Sequence, residues 1–310
     1  MTKHPYLIYH FVAFLIVVIW GSTFVFTKML LNSGLSPAHI FTLRFIIAYV
    51  LLLLFDYAVT RRHHRRFQWF SHSLKEELAM VGLGLTGGSL YFLSENAAML
   101  YTTATNTSLI VCSCPLFTML AMSLVYHDEP ISKRQVLGSL LACAGMCVVV
   151  LNGHFVLHLS PLGDLLAFTA CIAWAFYSLL IRYAAKRHTT VFITRKVFFY
   201  GLVTILPYYI FVPGLPSLSV LSRPDVIYNL LFLGCLASMV CFVVWNWVIR
   251  HLGPVDTTNW VYFNPITTMV FARWLLNEPI TIFFLLGMVM ILTGMYHADS
   301  HRKFKNTTNI

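Results

Sequence analysis

Three charges stand inside long apolar runs of this chain: Lys28, Arg44 and Glu95. A charged side chain at the centre of a bilayer costs about 2.5–3.5 kcal/mol on insertion scales. Three unpaired ones would cost on the order of 8–10 kcal/mol, comparable to the whole stability of a domain. They must pair, snorkel or face a wet cavity. At 1.5 Å per residue, Lys28, Arg44 and Glu95 lie roughly 5, 9 and 7.5 Å from the same ends of their helices. The sequence therefore predicts one polar cluster, with Glu95 paired to Arg44 or Lys28. A carboxylate there suits a coupling proton or a solute ammonium.

Aromatic and amide residues accompany these charges. Trp20, Phe24 and Lys28 are spaced i, i+4, i+8 and share a helical face, as do Trp174, Ser178 and Arg182. Tyr91 and Glu95 lie four apart, and so do Trp260 and Asn264. With Asn106 and Trp245, these make up the candidate substrate-binding set: Trp20, Lys28, Arg44, Tyr91, Glu95, Asn106, Trp174, Trp245, Trp260 and Asn264. Pro115 and Pro265 sit inside apolar runs. Each frees a backbone carbonyl about four residues earlier, which in lipid must find a partner or a cavity. They are candidate hinges or part of the site.

The elements that carry these residues follow from composition. Of 310 residues, 58% are hydrophobic and only 10% charged, against roughly 25% charged in soluble domains. The pattern is that of an all-α integral membrane protein. Ten apolar stretches are long enough to span: 9–31, 38–60, 78–100, 104–126, 135–151, 162–184, 191–212, 226–249, 255–276 and 280–298. The first is read as a retained helix, since no small-residue cleavage site follows it.

The net charge of +10 does not mark a nucleic-acid partner. Placing both termini in the cytoplasm puts 17 of the 21 Lys and Arg residues on the cytoplasmic side and only Arg223 and Arg273 outside. That split is the positive-inside signature. The seven cysteines all lie in apolar runs and read as small core or lipid-facing residues. Cys112-x-Cys114 lacks the further ligands that a metal site needs.

The chain also repeats itself. Asn96 and Asn246 differ by 150, as do Pro115 and Pro265; Glu129-Pro130 and Glu278-Pro279 differ by 149, as do Gly138/Gly287 and Gly145/Gly294. Trp20/Trp174 and Lys28/Arg182 differ by 154. Two five-helix repeats result, 1–151 and 152–310. Five helices is an odd number, so the second copy enters the membrane from the opposite side. The loops agree: Lys133-Arg134 follows the first Glu-Pro, while Ile280-Thr281-Ile282 follows the second. Inverted-topology repeats are typical of secondary transporters. The copies differ where chemistry would sit: Glu95 answers Trp245, Asn106 answers Asp256, and Cys114 answers Asn264.

Trp20-Gly21-Ser22-Thr23-Phe24, Leu43-Arg44-Phe45, and Gly163-Asp164-Leu165-Leu166-Ala167 leading to Trp174 resemble the EamA family of the drug/metabolite transporter superfamily. So does Pro115…Glu129-Pro130…Gly138…Gly145 with its second copy. The resemblance covers 11–298. It implies ten transmembrane helices in two inverted-topology five-helix repeats around a central cavity, and export of small metabolites; short loops and the lack of an organellar signal point to a bacterial plasma (inner) membrane. An amino acid is the leading solute, because Glu95 beside Arg44 and Lys28 suits a zwitterion. Organic phosphates or nucleotide sugars, handled elsewhere in the superfamily, are the alternative. A non-transporting sensor or scaffold is the reading from another class. No His-Glu-x-x-His, Gly-x-Ser-x-Gly or phosphate-loop motif supports an enzyme or a cofactor.

Overall fold

The computed structural model describes residues 4–64, 66–102, 104–126, 132–151, 160–211, 214–276 and 282–299. Helices fill the described chain, and no strand occurs among the described residues. First come α1 (His4–Asn32) and α2 (Pro37–Arg62). Next, α3 (Leu74–Gly84) passes through a π-helical stretch, Leu85–Ser89, into α4 (Leu90–Tyr101). A turn at Cys112-Ser113 separates α5 (Ala104–Val111) from α6 (Cys114–Val125), and α7 (Lys133–Leu151) follows.

The second series repeats the plan. It runs α8 (Pro161–Ala185), α9 (Thr190–Thr204), α10 (Leu206–Phe211) and the short α11 (Leu218–Leu221). Then α12 (Pro224–Leu231) continues through a longer π-helical stretch, Phe232–Val240, into α13 (Cys241–Leu252). Last are α14 (Pro254–Thr258), a 3-10 turn over Asn259–Phe263, α15 (Asn264–Leu276) and α16 (Ile282–Asp299). Among the described residues, five runs are long and apolar enough to cross a membrane: Leu7–Asn32, Pro37–Arg62, Pro161–Ala185, Thr190–Phe211 and Pro224–Leu252.

Local chemistry sets the helix starts. Ser36 caps α2 by accepting from the His39 amide at 3.2 Å, with Pro37 at the first helical position. Thr189 caps α9 by accepting from Phe192 at 3.3 Å. Pro115 and Pro265 do not kink continuous helices. Each lies in the first turn of a new helix just after a break, where a proline has no amide bond to lose.

The packing mirrors itself between the two series. α1 packs on α13 as α8 packs on α4, and α1 on α15 as α8 on α6. α2 packs on the second π stretch as α9 packs on α3 and the first. Asn96 Nδ2 donates to the Pro37 carbonyl at the start of α2. Its repeat partner Asn246 reaches the start of α9 through Thr194, whose hydroxyl accepts from Asn246 at 3.0 Å and donates to the Thr190 carbonyl at 2.9 Å. These ties supply the α2–α9 correspondence that the sequence alone leaves open.

α7 and α16 run antiparallel in close contact. A Cβ added to Gly138 would meet the Ala298 amide at 2.5 Å and the Gly294 carbonyl at 2.6 Å; one on Gly294 would meet Ala142 N and the Gly138 carbonyl, both at 2.5 Å. Gly145 meets the Gly287 carbonyl at 2.7 Å. Each glycine therefore sits on the repeat partner of the other. Between the two series an aromatic core is buried, with ring centroids 5.0 Å apart for Phe45–Phe198 and 5.6 Å for Phe198–Phe242.

Candidate functional site

The central cavity lies where α1, α2, α4, the α5–α6 break, α8, α13 and the α14–α15 break converge. Its empty space is about 470 Å³, including the part open to solvent. The wall carries Trp20, Arg44, Tyr91, Glu95, Trp174 and Asn264, six of the ten residues expected from sequence. Reasoning from spacing missed Thr23, Phe92, Val111, Phe242 and Val261 as wall residues, and met Cys114 only as the answer to Asn264 across the repeat. Val111, Cys114 and Val261 reach it because both fourth helices are broken there. Pro115 and Pro265 were the available signal for those breaks.

The charged pair sits on opposite supports. Glu95 accepts from the Tyr91 hydroxyl at 2.8 Å, one helical turn away on α4. Arg44 is 2% exposed, donates from Nε to Ser238 Oγ at 2.9 Å, and stacks its guanidinium 4.4 Å over the Phe92 ring. Arg44 and Glu95 lie in each other's field but form no ion pair within contact distance. Trp20 is aimed by a bond from Nε1 to the Ala237 carbonyl at 3.0 Å. Its ring meets Trp174 edge-on, centroids 5.9 Å apart. Gly21 lets α15 approach: a Cβ there would fall 1.7 Å from Thr267 Oγ1, and Thr268 donates to the Gly21 carbonyl at 2.8 Å. That approach brings Asn264 to the wall. Two buried polar atoms of the wall residues, Trp174 Nε1 and Asn264 Oδ1, have no hydrogen-bond partner among the described residues. Leaving such an atom unsatisfied costs about 1–3 kcal/mol.

Three expected residues are not gathered here. Lys28 does not join Glu95: it donates to the Met99 carbonyl at 2.7 Å, at the C-terminal end of α4, where a helix attracts a cation. Trp245 is fully buried behind Trp20, with centroids 4.7 Å apart. Trp260 donates to His10 Nδ1 at 3.1 Å, away from the cavity. Asn106 belongs to α5, but its side chain lies outside the described residues, as do Glu129-Pro130 and Glu278-Pro279. No group of three His, Cys, Asp or Glu able to hold a metal occurs among the described residues.

A second charged region lies at the end of the bundle that carries the loop from His63 to Ser73. Arg195 pairs with Asp56 at 3.2 Å, and Glu76 with His188 at 3.0 Å and Arg187 at 3.8 Å. Glu77 binds Lys196 and Tyr200, and accepts from the Ser71 amide at 2.6 Å. Burial alone would raise the Glu77 carboxyl; the bonds from Lys196, Tyr200 and Ser71 outweigh it and lower it to about 2. Arg195 and Lys196, which crowd the start of the seventh apolar stretch, are thus buried but paired.

Comparison with known proteins completes the picture. The model of the EamA-like transporter family matches twice, over residues 7–151 and 161–298. An uncharacterized transporter of Archaeoglobus fulgidus is 27% identical over 93% of this chain and 96% of its own. A protein of Escherichia coli named probable amino-acid metabolite efflux pump is 24% identical over 92% of each chain. One from Streptantibioticus cattleyicolor, named probable terminal-alkyne amino-acid exporter, is 26% identical over 86% of this chain and 84% of its own. A solved crystal structure shares the fold, with a TM-score of 0.69 at 18% identity over 96% of this chain and 97% of that one.

Proposed function

We propose that this chain, which belongs to the EamA-like transporter family, is a secondary transporter that exports an amino acid or a related zwitterion. As a member of that family it is a multi-pass membrane transporter of a small solute, and not an enzyme. The observation that carries the finer reading is the separation of Arg44 from Glu95 on one cavity wall. A solute carboxylate fits the guanidinium and a solute ammonium fits Glu95, each by a charge-assisted hydrogen bond. The aromatic walls supply apolar contact, and Trp174 Nε1 and Asn264 Oδ1 offer one more donor and acceptor. Glu95 is also the group to carry a coupling proton.

An organic phosphate or nucleotide sugar fits less well. It would use the second cation, Lys28, which is engaged by the Met99 carbonyl instead.

The proposed machine has ten membrane spans in two inverted five-helix repeats, 1–151 and 152–310, with both termini in the cytoplasm and the chain in a bacterial inner membrane. The antiparallel contact of α7 and α16 through repeat-related glycines supports the inversion, since homologous helices of uninverted repeats would run parallel. Alternating access follows if the halves exchange conformations, with the breaks before Pro115 and Pro265 as hinges. The test is export from cells expressing the chain, screened across amino acids and toxic analogues at two external pH values. Raised export of one class is expected; unchanged accumulation of every compound would overturn the reading.

A further inference from the structure

We infer that Ser238 is a positioning residue for solute recognition, resting on the cavity reading above: it fixes the direction in which Arg44 presents its guanidinium. Ser238 is fully buried in the second π-helical stretch, and its hydroxyl accepts the Arg44 Nε–H at 2.9 Å. The backbones meet at the same point. A Cβ added to Gly234, one turn earlier, would fall 2.8 Å from Ile47 and 3.2 Å from the Arg44 carbonyl. The Phe92 ring covers the guanidinium face at 4.4 Å. A guanidinium has five N–H donors in a rigid plane. With Nε held by Ser238 and one face held by Phe92, the plane is set and the Nη donors remain for a carboxylate. The neighbouring residue does the same for another wall group, since the Ala237 carbonyl accepts from Trp20. One π stretch thus aims two side chains, from α1 and α2, into one cavity.

The repeat gives an independent reason. At the 150-residue offset the partner of Ser238 is Gly88 in the first π stretch. Pro37 and Thr190 correspond at an offset of 153, which makes Val197 the partner of Arg44. The repeat-related contact, Gly88 near Val197, has neither the cation nor the hydroxyl. A serine that served only the π-helical backbone would have no reason to track the arginine.

The experiment uses the full chain in proteoliposomes, with counterflow of a tritiated mixture of the twenty L-amino acids. Losing one hydrogen bond of net worth about 1 kcal/mol corresponds to about a fivefold change. Ser238→Ala should raise the half-saturating concentration about fivefold and keep the maximal rate, while Ser238→Thr should restore it. In detergent-solubilised full-length chain, the Arg44 Nε–H should exchange slowly in wild type and Ser238→Thr, and fast in Ser238→Ala. Equal exchange in all three overturns the inference whatever the transport result. A Ser238→Ala chain with a lower melting temperature and unchanged half-saturation is merely weakened, which also overturns it. Arg44→Gln separates the two levels. If it transports like wild type, the cavity reading fails; if it fails while Ser238→Ala matches wild type, only the positioning role is lost.

Discussion

Two charged regions of this molecule use buried charge in opposite ways. At the end carrying the His63–Ser73 loop, Asp56, Glu76 and Glu77 each touch a basic partner, and Glu77 also takes bonds from Tyr200 and Ser71. In the central cavity, Arg44 and Glu95 share a wall without touching, and each leans on a neutral hydroxyl, Ser238 and Tyr91. The first arrangement satisfies its charges internally and braces α3 against α9. On the proposed reading, the second leaves Arg44 and Glu95 to be satisfied by a solute that enters. Composition does not separate the regions, since both mix acids, bases and aromatic rings; contact does.

Substitutions that neutralise each region should separate bracing from recognition. The largest effect is expected at Arg44→Gln. A hydrogen bond to a charged group is worth about 1.5–3 kcal/mol, so solute binding should weaken on the order of thirtyfold, read by equilibrium binding to detergent-solubilised protein. Glu95→Gln comes next, with about tenfold weaker binding. Export by that variant should also lose its dependence on external pH; an unchanged rate with an unchanged pH profile would remove Glu95 from both solute binding and coupling. Ser238→Ala follows at about fivefold.

Glu77→Gln should leave binding untouched and lower the melting temperature at neutral pH. Because the Glu77 pKa is lowered to about 2 by its partners, its stabilisation is complete above the ordinary carboxylate value. It disappears as pH falls toward about 2, so the melting curves of wild type and variant should converge on acidification. Only a small effect on binding is expected at Lys28→Met. Its ammonium caps the α4 terminus, so the half-saturating concentration should stay within about twofold, and helix-end stability should drop by about 1 kcal/mol. A large binding loss at Lys28 would put it back with Arg44.

The contrast also explains what the sequence could reveal. Apolar stretches and the repeat are local or periodic signals, and the described chain is helical, with five runs long and apolar enough to cross a membrane. Tyr91 with Glu95, and Trp20 with Trp174, were legible because helical spacing or the repeat links them. Depth in the helix misled for Lys28: it matches Arg44 in depth, but a helix terminus lay within reach. Trp245 misled because the repeat gives its position and only packing gives its face. The π stretches carry no compositional mark, so neither Ala237 nor Ser238 could be singled out. The charges that close Arg195 and Lys196 into ion pairs come from distant segments, Asp56 and Glu77, which hydropathy reads separately.

The central claim is that the cavity reads both charges of one small solute. The direct measurement is equilibrium binding of each of the twenty L-amino acids to the detergent-solubilised chain, beside their methyl esters and N-acetyl derivatives. The account predicts that at least one amino acid binds, and that both blocked forms of it bind at least tenfold more weakly. Binding of the ester and the N-acetyl form as tightly as the parent compound would contradict it.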